Sequence, residues 1–393
     1  MYNVVSRQTL INAQFGVRDI YSAVGCCMRT VASGMFAVVR ICADPRHIPF
    51  RDWIDSPELL ENPEHGEQAA KALVYEQRTK HHLGHLAEYG LLEGQVLSHH
   101  SAAAAQRIPL MDSHLDRFSI SDPLRPAVRT TRLQRRKREI PEAFVHSSCI
   151  DLPGIPMSNP IWTVADLLRD ADPLQGFIAA DAYIGGRSDV DAGVLHRYPQ
   201  RFANWRPPVA VPQVGIGYPG VRARYYEDFA VRRARLHEVL GMLEDLAGAY
   251  GMKRARRLAD WATGLAESPL ESLTALALHR LGIHDFTQQI VFVTDNGWNH
   301  YRVDFLIESL GVIIEADGWS KYADQDDLRR EKYRQDYLQR YYRVVRVEWA
   351  DVVGSAAGQD AVRQPGRSSA VRSSAGHRGG GLRAKLRSVG VRI

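Results

Sequence analysis

The chain reads as an α/β multidomain protein, and three observations support this. Two apolar runs in the C-terminal third, 303–307 and 312–316, have the length and spacing of paired strands. Segments of helical period flank them at 273–281 and 328–341. Near the start, 6–42 has the punctuation of a helix-turn-helix followed by a strand.

From the N-terminus, Ser6 is placed to cap a first helix and 17–24 is a second. Gly25 supplies a turn before a third helix at 26–33, and MFAVVRIC, 35–42, is the strand of a wing. A winged helix-turn-helix-like unit over 1–60 follows. Arg29, Thr30 and Ser33 are then the nucleic-acid-binding candidates, because such units read bases from the second helix of the pair. The alternative is a structural helix pair, since 26–33 is poor in Arg, Lys, Asn and Gln.

Residues 61–212 form a middle α+β region. Its histidines, His81, His82, His85, His99 and His100, lack an acidic residue at a convincing metal-ligand spacing. RLQRRKR, 132–138, is a phosphate-gripping candidate or a solvated strand. A helical connector spans 213–262, with an apolar stripe through Val231, Leu236, Val239, Leu243 and Leu246 and many arginines beside it.

The C-terminal hairpin carries the chemistry. If the four residues 308–311 form a symmetric turn, Asp304 faces Glu315 across the ladder. Alternation along the strand puts Asp317 on the same face as Glu315. Like charges opposed in a sheet are destabilising, and their burial is costly. A hard divalent cation held by oxygen ligands offsets both costs. The alternative is a surface hairpin with solvated acids.

The order over 263–353 is helix, three strands, helix, strand. With AESPLES, VDF, IEADGWSKY and EKYRQDYLQRYYRVVRVEWADV, it resembles the PD-(D/E)xK nuclease core. The likeness is to the branch akin to very-short-patch repair endonucleases, and it implies a restriction-endonuclease-like α/β/α domain. The resemblance implies that Asp304 and Glu315 hold Mg2+ (or Mn2+), that Asp317 assists, and that Glu271 reaches the same site. Asp317 stands where the pattern has its lysine, so Lys321, four residues further on, is the substitute. Tyr341 stands where related sequences tend to have a helix-ending glycine, so that corner must be built differently.

LSHHSAAAAQRIPL, GIPMSNPIWTVADLLRD and FIAADAYI, within 97–184, resemble the middle region of AbiEi-type antitoxins, the winged-helix antitoxins of type IV toxin-antitoxin systems. That likeness implies DNA and a cognate toxin as partners. Two functions follow: a DNA-binding, metal-dependent endonuclease-like protein, or a non-catalytic antitoxin-type transcriptional regulator using the nuclease fold as a binding platform. A partner-binding protein without nucleic acid is a third.

Composition bounds these readings. The chain has 393 residues, 45% of them hydrophobic and 24% charged, enough for two or three ordinary cores. No run of about 18 apolar residues and no signal-like start is present, so the expectation is a cytoplasmic protein with no membrane partner. Cys26, Cys27, Cys42 and Cys149 form no CxxC pair, which leaves a zinc knuckle or redox motif unsupported and reduced thiols expected. The net charge is +5, yet 354–393 has eight basic residues against Asp360 alone. That leaves about −2 on the rest of the chain. Rich in Ser, Gly and Ala, 354–393 reads as a disordered basic tail, either holding DNA phosphates or simply solvated.

Overall fold

The computed structural model describes residues 2–62, 67–111, 115, 117–130, 133–149, 151–170, 172–186, 221–224, 229–246, 249–293, 300–316, 325–357 and 381–393. They divide into two compact units, one holding the described chain up to Asp170 and the other the remainder. No described helix is long and apolar enough to cross a membrane.

The first unit begins β-α-α-β-β: β1 (Val4–Ser6), α1 (Arg7–Asn12), α2 (Val17–Ala23), β2 (Met28–Ala32) and β3 (Met35–Val38). The sheet order is β1-β3-β2, antiparallel throughout. Ser6 caps α1 as expected, its Oγ accepting from Thr9 N at 3.0 Å. Leu10, Ile20 and Ala23 press onto Met28, Phe36 and Val38 to form a small core. The expected third helix, 26–33, is instead strand β2. Thr30 and Val31 are β-branched, and Gly34, at φ +73°, turns the chain back into β3. Hairpin pairing therefore takes over where a helix was expected.

The rest of this unit has α3 (Glu67–Tyr89), β4 (Val96–Leu97), α4 (His99–Ala105), β5 (Phe118–Ser121), β6 (Val128–Arg129), β7 (Leu133–Arg136), β8 (Val145–His146), β9 (Met157–Ser158) and α5 (Pro160–Arg169). Its six strands order as β6-β7-β5-β4-β9-β8. Every residue of the alanine-rich α4 is buried. Asp151 gathers Tyr2 Oη at 2.7 Å, Lys80 Nζ at 2.9 Å and Arg107 Nε at 3.0 Å. The arginine run is not an open cationic strip: Arg136 pairs with Asp170, and Arg138 with the buried Asp166.

The second unit contains α6 (Pro173–Ile184), β10 (Val221–Arg224), α7 (Phe229–Asp245), α8 (Met252–Trp261), α9 (Pro269–Arg280), β11 (Phe286–Val293), β12 (His300–Ile307), β13 (Val312–Ala316), α10 (Gln325–Gln339), β14 (Arg343–Val347), α11 (Trp349–Ala357) and α12 (Leu382–Ser388). Its sheet runs β10-β11-β12-β13-β14; the first three pairings are antiparallel and the last is parallel. A parallel pair needs a crossover, which α10 provides. Two stretches differ from expectation at its upstream edge. Val221–Arg224, read as part of the helical connector, is an edge strand on β11. The helix α6, read with the middle region, is held by Asp181, which accepts from Thr263 N, Gly264 N and Ser272 Oγ.

The corner at Tyr341 closes without a left-handed residue, because Tyr341 N and Tyr342 N both donate to Leu338 O. The tail also departs from expectation. Within 354–393, read as disordered, the helix α12 is ordered, with Leu382 and Leu386 at 0% exposure and Val391 at 3%. Lys385 anchors it on Asp351 Oδ2 at 2.6 Å and on Arg346 O at 2.9 Å. Three apolar positions in a basic segment suffice because α11 and β14 supply the rest of that small core.

Candidate functional site

Glu271 sits on the first turn of α9. Ser268 caps this helix, its Oγ accepting from Glu271 N at 3.2 Å, and Pro269 occupies the first helical position. The Glu271 carboxylate reaches back, accepting from Ser268 Oγ at 2.9 Å and Glu267 N at 2.8 Å. AESPLES is therefore a variant of the capping box, in which the reciprocal backbone donor is Glu267 N rather than the N-cap residue's own N–H. Glu271 Oε2 also accepts from Gln289 Nε2 at 2.8 Å, which ties the helix end to β11.

Gln289 is held in an unusual conformation, with φ +52° and 4% exposure. A left-handed backbone at a non-glycine strand residue is strained. Its Oε1 is buried with no hydrogen-bond partner. The β11–β12 pairs Gln288↔Phe305 and Ile290↔Val303 put Gln289 opposite Asp304.

The hairpin register follows the symmetric-turn expectation. The pairs are Phe305↔Ile314, Leu306↔Ile313 and Ile307↔Val312; the ladder ends there, one step short of Asp304 and Glu315, which the same register would set opposite each other. Gly311 closes the turn at φ +62°, where a side chain is disfavoured. The two carboxylates are not left to repel each other. Asp304 Oδ2 accepts from Ala316 N at 2.7 Å, while Glu315 Oε1 accepts from Arg334 Nη2 at 2.6 Å. Arg334 also donates to Arg302 O at 2.7 Å, and the Arg302 guanidinium grips both oxygens of Glu267 at 2.5 and 2.7 Å.

Burial, followed by the neighbouring Asp304 charge, pushes the Glu271 carboxyl up to about 7, overcoming its hydrogen bonds. Burial likewise raises Asp304, against the Ala316 N–H bond and the Arg302 and Arg334 charges. Two neighbouring carboxyls, both raised chiefly by burial, mark this corner of the sheet as a candidate site.

Glu271, Asp304 and Glu315 thus lie on elements bound to one another, linked through Gln289 and the hairpin ladder. Asp317 and Lys321 lie outside the described residues. In the first unit, Arg29 and Thr30 are exposed on β2 and Ser33 on its turn, not on a helix. Arg29 forms an ion pair with Glu61. Sequence reasoning missed Gln289, whose role depends on its backbone angle, and Arg334, one charge among many on a polar helix. Also missed were Cys26, Cys27, Cys42 and His47, whose donor atoms all lie within 4.8 Å of one another. Among the described residues, no other group of three or more potential ligands is so close. No family model, curated protein or solved structure matches the chain.

Proposed function

We propose that the chain is a DNA-binding protein whose second unit carries a magnesium- or manganese-dependent, endonuclease-like centre. The observation that supports this most is the buried Glu271–Gln289–Asp304 constellation, beside Glu315, on a sheet with the helix, three strands, helix, strand order. Its donors are all oxygens, burial raises the Glu271 and Asp304 carboxyls, and Gln289 Oε1 is buried without a partner. That chemistry fits a hard cation. Asp304 and Glu315 are the proposed ligands, with Asp317 assisting and Lys321 orienting water or stabilising charge. Bound there, the ion would polarise a phosphodiester and lower the pKa of a water molecule. Glu271 holds the end of α9 against β11, and a carboxyl near 7 suits proton transfer at neutral pH.

In the first unit, the β-α-α-β-β order with sheet order β1-β3-β2 supports a winged-helix reading with one change. The groove-facing element is then α2, with Arg18 and Tyr21 exposed, and the β2–β3 hairpin is the wing. Arg29, Thr30 and Ser33 become wing residues suited to phosphates rather than base edges.

A second reading, the non-catalytic antitoxin-type regulator, is favoured by one contact. The Arg334 guanidinium already neutralises Glu315, as it would in a site kept only as a platform. Nicking of supercoiled plasmid by the full chain with manganese separates the two. Wild type should nick, and Asp304→Ala should lower the rate by about 100-fold or more. Equal rates, or none in wild type, would leave the regulator reading standing.

A further inference from the structure

The Cys26, Cys27, Cys42 and His47 group is independent of the carboxylate centre. Its residues come from two places: Cys26 and Cys27 follow α2 after Gly25, which turns the chain at φ +83°. Cys42 and His47 lie beyond β3, ahead of a short 3-10 helix at Ile48–Trp53. Cys42 Sγ is 3.4 Å from Cys26 Sγ and 3.6 Å from His47 Nδ1. A tetrahedral zinc site, with Zn–S about 2.3 Å and Zn–N about 2.0 Å, has S···S edges near 3.8 Å and N···S edges near 3.5 Å. The nitrogen edge agrees closely, and the sulfur edge lies far beyond a disulfide's length of about 2.0 Å.

The surroundings set up the ligands. Ser22 Oγ donates to Asp19 O at 2.9 Å, so towards His47 Nε2, at 2.8 Å, it acts as an acceptor. His47 therefore carries its proton on Nε2 and directs the Nδ1 lone pair at Cys42. An outer hydrogen bond of this kind typically orients a metal-binding histidine. Asp44 N points at Cys42 Sγ from 3.4 Å, a bond that favours a thiolate. Cys27 and His47 are 1% and 4% exposed; Cys27 belongs to the small core built on Phe36 and Phe50, and Cys42 packs against it. Three sulfurs and an imidazole gathered at the edge of that core make a poor apolar cluster and a complete soft-ligand set.

We propose that Cys26, Cys27, Cys42 and His47 bind a structural zinc ion that staples the end of α2 to the segment leaving β3. Four protein ligands leave no open position, which makes the role structural. The spacing, adjacent cysteines followed after 14 residues by a third and after four more by histidine, is not that of a CxxC knuckle. The site exists because the β2–β3 hairpin brings its two ends together.

The full chain, purified without chelator, should contain one zinc per molecule by elemental mass spectrometry. After exchange with cobalt, it should show visible ligand-field bands of tetrahedral geometry and near-ultraviolet thiolate-to-cobalt charge transfer. Cys42→Ser and His47→Ala should lose the metal. His47→Cys, which supplies a fourth thiolate, and Cys149→Ser, outside the group, should keep it. Ser22→Ala should weaken binding by about 10- to 100-fold. If a variant fails to fold, the wild-type cobalt spectrum still decides. A spectrum without thiolate charge transfer, a Cys26–Cys42 disulfide in place of metal, or zinc retained by soluble Cys42→Ser would each overturn the proposal.

Discussion

Asp304→Asn probes the carboxylate centre most directly, because it removes a charge and keeps an oxygen able to accept from Ala316 N. In the wild-type fold Glu271 is raised from 4.5 to about 7, first by burial and then by Asp304. A carboxyl raised on folding is bound to a proton more tightly in the native state. Its stabilising contribution is complete below about pH 4.5 and is lost as pH rises through about 7, a swing of about 3 kcal/mol. Removing Asp304's charge takes away only the part owed to that charge, which ranks below burial and is taken as about 1 kcal/mol, the scale for neighbouring like charges. Without metal, Asp304→Asn should therefore be about 1 kcal/mol more stable than wild type near pH 8, with the gap closing towards about pH 5. Saturating magnesium should invert the order, since wild type gains about 2.7 kcal/mol at 100 times Kd and the variant has lost a ligand. The assay is urea unfolding of the full chain across pH, read in the transition that Glu271→Gln also moves. Parallel curves for wild type and variant would refute the Glu271–Asp304 coupling. A stabilised variant without inversion would mean crowded carboxylates and no metal site.

Three further outcomes follow from other parts of the fold. Leu386→Ala should destabilise the second unit by about 2–5 kcal/mol, because Leu386 is fully buried; an unchanged melting temperature would mean that α12 is not docked in solution. Asp151 is held at about 2, as hydrogen bonds from Arg107, Tyr2 and Lys80 overcome the upward pull of burial. Its contribution of about 2 kcal/mol is present above about pH 4 and lost as pH falls through about 2. Asp151→Asn should therefore be less stable at neutral pH and approach wild type on acidification, whereas a pH-independent gap would point to lost packing. Arg18→Ala should weaken binding to the protein's own promoter fragment more than Arg29→Ala does in gel-shift titrations, since Arg18 is exposed on α2 and Arg29 already pairs with Glu61. The reverse ranking would return base reading to β2.

Legibility in the sequence varied with how local the cause was. The 303–316 hairpin was largely legible: two apolar runs and a glycine-closed turn fix the strands and their register, although the first strand begins earlier, at His300, and the ladder stops at Phe305↔Ile314. Glu271 was legible as a residue but not in its local role, although Ser268 three positions before it already spells a capping box. The 26–33 segment misled because a short run containing Met, Thr, Val and Ala satisfies either period, and only pairing with β3 decides. Leu382, Leu386 and Val391 are too sparse to signal a helix until α11 and β14 are beside them. Gln289 and the Cys26–His47 ligand group depend on long-range placement, for which a single sequence holds no pattern.

The two proposed metal sites differ in chemical softness, and that shapes any experiment on either. Thiolates and an imidazole select zinc, whereas carboxylates and an amide oxygen select magnesium or manganese. Strong chelators would remove metal from either proposed site, so loss of DNA binding in EDTA would not implicate the carboxylates. If the zinc staple sets the position of α2, stripping zinc should abolish promoter binding even with magnesium present. Asp304→Ala should leave that binding intact while removing cleavage. Promoter binding that survives zinc removal yet falls with Asp304→Ala would place recognition in the second unit and reverse the division of labour proposed for the chain.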